Sequence, residues 1–143
     1  MRRWLNILAI LCRFGLAAMW LFAAGAKLYT FRDFSSNLAN LVPYKWAAYT
    51  AALVVAAELL AAVLLLVGRT ARVGAIWTAV LLAGFAGYAL FYVYVLKGEP
   101  LECGCFGGII GSQLGVKTAL RNLALLVPAF VVIFGSRCRP RFR

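Results

Sequence analysis

Two cysteines one residue apart are the most reactive groups in this chain, in the run Glu102-Cys103-Gly104-Cys105-Phe106-Gly107-Gly108. At that spacing the sulfurs fall within disulfide reach, but the ring that closes is small and strained. Gly104 removes the Cβ that the forced turn would crowd. A strained, accessible disulfide has a higher reduction potential than a structural one and is labile or catalytic. As a staple it would close a loop of almost no length and add almost nothing. The pair therefore points first to thiol–disulfide exchange, with Cys103 and Cys105 as the exchanging sulfurs. Glu102 beside them can take or return a proton, although its charge also disfavours a thiolate. Two other readings stay open. Paired thiolates suit a soft ion such as Cu(I), and the pair could be buried and inert. Zinc needs more ligands than Glu99 and Glu102 add, so no metal site is assigned. The chain has no His, which excludes within it a Ser-His-Asp triad, a His-ligated metal and an imidazole-bound haem.

The elements that must position this pair follow from composition. The 143 residues are 65% hydrophobic, with mean hydropathy +0.92. That is well above the roughly 45–50% of soluble domains, and more than a core of this size could bury. Four windows are long and apolar enough to cross a bilayer, 5–28, 46–67, 73–95 and 118–134, and in lipid they must be helices. The expected fold is all-α: an integral membrane four-helix bundle forming a single domain. Trp4, Tyr29, Tyr44, Trp46, Trp77, Tyr92 and Tyr94 lie near span ends, where amphipathic rings favour the interface. Arg2, Arg3 and the Ala24-Gly25-Ala26 run imitate a cleaved leader, but the run is too long and Arg13 interrupts it, so it is read as a span.

With both termini in the cytosol, that side holds Arg2, Arg3, Arg69, Arg72, Arg137, Arg139, Arg141 and Arg143. The other side holds Lys27, Arg32, Lys45, Lys97 and Lys117. This bias sets the expected orientation in the plasma (inner) membrane. The thiol loop, 96–117, then faces the extracytoplasmic side. The basic tail, 135–143, serves as a topology signal that meets anionic lipid heads rather than nucleic acid. Cys12 is expected to be a core thiol. Cys138, in the tail, is expected to stay reduced. In the first outer loop, Phe31, Phe34, Leu38 and Leu41 recur at helical spacing, predicting a short interfacial helix ended by Pro43.

Two charges lie deep in the spans. Arg13 and Glu58 would each cost about 2.5–3.5 kcal/mol at the centre of a lone helix. Counted down from the outer ends, Arg13 lies about 22 Å below Leu28 and Glu58 about 18 Å below Trp46. Ala9, Arg13, Ala17, Trp20, Ala24 and Lys27 form one stripe, and Ala51, Glu58, Ala61 and Ala62 another. Small residues let such stripes approach closely. The expectation is an Arg13–Glu58 ion pair inside the bundle, which would fix register or mark a functional site. Lys27, Arg121 and Asn122 sit near the outer ends. They either snorkel to lipid phosphates or ring a pocket below the thiol loop. Pro128 is expected to kink span four.

These residues resemble the MauE proteins of methylamine utilisation, within the broader DoxX-like group. The resemblance is carried by Arg13 with Gly25-Ala26-Lys27, Pro43, Glu58 with Gly68, the Cys103-Gly104-Cys105-Phe106-Gly107 core, and Arg121-Asn122. An acid, often Asp, precedes the family's thiols, and Glu102 fits that position loosely. The resemblance implies a four-helix membrane protein working beside a thioredoxin-like extracytoplasmic partner in maturing a disulfide-rich secreted subunit. It also implies a link to quinols. A quinone would be the lipid-soluble electron carrier, with Lys27, Arg121 and Asn122 as the groups to hold it. The competing classes are a non-enzymatic subunit that anchors or assembles a complex, a homo-oligomer built on the alanine faces, and a soft-metal carrier.

Overall fold

The computed structural model describes residues 2–39, 42–95 and 116–135. Five helices follow one another: α1 (Arg2–Tyr29), α2 (Phe31–Ala39), α3 (Tyr44–Leu66), α4 (Ala71–Tyr94) and α5 (Val116–Gly135). All but α2 are long and apolar enough to cross a membrane. They form an antiparallel ring in which α1 packs on α3, α3 on α4, α4 on α5, and α5 closes back onto α1. This is an all-α integral membrane bundle. About a third or less of the most apolar stretch of each long helix is buried inside it. Leu53, Val63, Val80, Leu120 and Val127 face outward, as a lipid-embedded bundle requires and a soluble one could not tolerate.

Alanine sets the spacing. Ala17, Ala24, Ala51, Ala61, Ala62, Ala75, Ala89 and Ala129 are buried at helix contacts, where small side chains let backbones come close. Two glycines go further. A Cβ on Gly74 would stand 2.8 Å from the Leu64 carbonyl carbon and the Leu65 nitrogen, and one on Gly135 would stand 2.6 Å from the Ala9 Cβ. Larger residues there would force α4 off α3 and α5 off α1. The core proper gathers Leu16, Trp20, Leu65, Leu82 and Val132. Trp20 Nε1 donates to Thr78 Oγ1 at 3.1 Å and ties α1 to α4. α5 runs on through Pro128, which has no N–H to give the Ala124 carbonyl.

The two ends of the bundle differ in construction. At one, α2 follows α1 after the single residue Thr30 and packs mainly on α3. At the other, α3 turns into α4 through residues 67–70, held by Thr70 Oγ1 donating to the Leu64 carbonyl at 3.0 Å. Trp4, Tyr29, Tyr44, Trp46 and Tyr94 are exposed at helix ends, but Tyr92 is buried. Trp77 lies further in and donates to the Ala57 carbonyl at 3.1 Å. Trp77 thus joins α4 to α3 instead of marking an interface.

Candidate functional site

The buried polar centre lies toward the α2 end. Lys27, two residues before the end of α1, is 1% exposed, and Glu58, midway along α3, is 0% exposed. Lys27 Nζ donates to Glu58 Oε1 at 2.5 Å. The ammonium also sits 5.7 Å from the Phe34 ring centroid and 5.9 Å from that of Phe85, within range of cation–π attraction. Phe34 comes from α2, so the short helix expected in the first loop covers the cation from above.

The expected Arg13–Glu58 pair does not form. Arg13 Nε donates to the Leu65 carbonyl and Nη2 to the Leu66 carbonyl at 2.7 Å. Those acceptors lie at the end of α3, about 10 Å along the axis from Glu58. The physical reason is the direction of side chains on helices. Each leans toward the N-terminus of its own helix. On antiparallel α1 and α3, Lys27 therefore leans down toward Glu58 and Glu58 leans up toward Lys27. Arg13 leans away from Glu58, onto carbonyls that a helix C-terminus leaves without N–H partners. The two stripes themselves are as expected: Ala9, Ala17, Trp20, Ala24 and Lys27 are buried on α1, and Ala51, Glu58, Ala61 and Ala62 on α3.

α5 completes the centre. Asn122 is 4% exposed. With Glu58, Trp20, Phe85 and Leu125 it lines a cavity of about 20 Å³. Glu58 Oε2 and Asn122 Nδ2 have no hydrogen-bond partner among the described residues, so an acceptor and a donor line one small space. It has room for about one water-sized group, and Lys27 is engaged by Glu58. Arg121, the neighbouring residue, is half-buried. Thr78 and Phe85 went unmarked in the sequence. Their signal was slight: Thr78 is the one hydroxyl-bearing Thr or Ser between Val73 and Val95.

Glu102, Cys103, Cys105 and Cys138 lie outside the described residues. Cys12 is half-buried and free. The chain that carries the paired cysteines leaves the C-terminal end of α4 and re-enters at the start of α5. There Ala86 and Ala89 pack against Ala119. Both anchor points belong to the end of the bundle that holds Lys27.

Neither a curated protein nor a solved structure matches the chain. The family described as methylamine utilisation protein MauE matches residues 5–135, nearly the whole chain and all four long helices. The chain belongs to the MauE family.

Proposed function

We propose that this protein is a membrane thiol–disulfide redox protein. Cys103 and Cys105 exchange with a thioredoxin-fold partner at the extracytoplasmic face of the plasma membrane, and both termini lie in the cytosol. One observation supports this reading above the others. The segment bearing the pair is tethered, through the facing ends of α4 and α5, at the end of the bundle where Lys27, Glu58 and Asn122 join α1, α3 and α5. A reactive loop needs a fixed base, and that centre supplies one. The exchange is balanced within the two proteins. A thiolate of one attacks the disulfide of the other, a mixed disulfide forms, and the second thiol resolves it. One protein ends oxidised by two electrons and the other reduced by two. Glu102 can receive the proton released as a thiol becomes a thiolate. No step is routed through a quinone.

A second reading has its own support: the contacts of Arg13, Trp20 and Lys27 each join two helices, as a purely structural subunit would arrange them. Alkylating the purified protein before and after reduction separates the two. The redox reading expects Cys103 and Cys105 to shift in mass together on reduction, and a Cys105→Ser variant to trap a thioredoxin-fold protein in a mixed disulfide. Thiols that stay fully reduced in membranes, with no trapped partner from either single-serine variant, would leave only the subunit reading.

A further inference from the structure

The end of the bundle opposite the polar centre carries a site of a different kind. Arg13, Arg69 and Arg72 line a half-open cavity of about 400 Å³, together with Asn6, Ala71 and Gly135. Arg13 is fixed there by its two bonds to the end of α3. Arg69 and Arg72 are exposed, and the one ion pair among the described residues is Lys27–Glu58. No acid is at hand. Of the four in the chain, Glu58 is taken by Lys27 and Asp33 lies in α2, while Glu99 and Glu102 lie in the segment joining the other ends of α4 and α5. α4 also begins in the cavity wall, and its Thr70 cap makes no side-chain capping bond. The first-turn N–H groups therefore add a field of the same sign. Next to this cavity, α1 and α5 enclose an apolar groove of about 430 Å³ lined by Leu5, Leu8, Val127, Phe130, Val131 and Phe134. Asn6 and Gly135 belong to both.

We propose that this is a binding site for one anionic phospholipid: its phosphate sits among Arg13, Arg69 and Arg72, and an acyl chain lies in the α1–α5 groove. Three cations with no acidic side chain beside them among the described residues call for an anion, and arginine forks match phosphate oxygens. The adjoining groove selects an anion with a hydrocarbon tail over a free one. Basic pockets between membrane helices take such headgroups.

The test uses the full chain in detergent, titrated with phosphatidylglycerol, phosphatidylcholine or inorganic phosphate and followed by native mass spectrometry and by unfolding temperature. Phosphatidylglycerol is expected to bind at least about tenfold tighter than phosphatidylcholine, a preference of about 1.4 kcal/mol, and to raise the unfolding temperature. Arg69→Gln/Arg72→Gln should abolish most of that preference without lowering the lipid-free unfolding temperature, since neither side chain holds the fold. Replacing Arg137, Arg139, Arg141 and Arg143 with Gln should leave the preference in place. Equal binding of the two lipids would overturn the proposal. So would an undiminished preference in the double variant, loss of preference in the tail variant alone, or equal stabilisation by inorganic phosphate.

Discussion

The two ends of this bundle handle positive charge in opposite ways. Toward α2, Lys27 is sealed from solvent, neutralised by Glu58 and covered by two aromatic rings. At the α3–α4 turn, Arg13 gives its donors to backbone carbonyls, while Arg69 and Arg72 stand at an open cavity with no acidic side chain beside them among the described residues. The first arrangement is complete within the protein. The second leaves charge for the surroundings to answer. Internal neutralisation joins α1 to α3 at the α2 end, the end to which the proposed redox segment is tethered. The open end suits contact with a charged bilayer surface.

The contrast can be broken most sharply at Lys27. Lys27→Met leaves Glu58 buried without its cation, which should cost about 3–5 kcal/mol. Lys27→Met/Glu58→Leu should recover most of that loss. Thermal unfolding in detergent reads both, and a double variant no better than the single would show that the pair is not coupled. At the other end, Arg13→Met removes two charge-assisted bonds from the end of α3 and should cost about 1.5–3 kcal/mol. Here no second substitution can rescue the loss, because the partners are main-chain carbonyls. Arg13→Lys should retain only part of the stability, since an ammonium lacks the two-pronged fork. Gly74→Ala brings a methyl against the α3 backbone beside Leu64 and Leu65 and should cost about 1–3 kcal/mol. It should leave alkylation of Cys103 and Cys105 unchanged, because the disturbance lies at the opposite end from the thiol segment's anchors.

Much of the fold was legible in the sequence because bilayer thickness leaves few solutions for long apolar runs. The windows 5–28, 46–67, 73–95 and 118–134 lie within, or overrun by a residue, the helices Arg2–Tyr29, Tyr44–Leu66, Ala71–Tyr94 and Val116–Gly135. The buried faces of α1 and α3 were equally plain, since alanine recurs on them at helical spacing. The partner within a face was not. Arg13, Lys27 and Glu58 share the same inward stripes, and depth along the axis favoured the wrong cation. The choice depends on which way long side chains lean, and that lean is invisible when only Cα levels are compared. Asn122 could be picked out, but its place beside Glu58 depends on how α5 closes the ring against α1, a long-range contact that no local pattern encodes.

The Lys27–Glu58 pair also bears on how the chain enters its membrane. Its members lie 31 residues apart, so α1 leaves the ribosome with Arg13 and Lys27 both unanswered. The acid arrives only when α3 has been translated. A lone first segment would carry two cations into hydrocarbon, whereas a hairpin of α1 with α3 satisfies one by Glu58 and the other by the carbonyls that close α3. The least costly unit of insertion is that hairpin, and α4 and α5 join a scaffold in which both side chains already have partners.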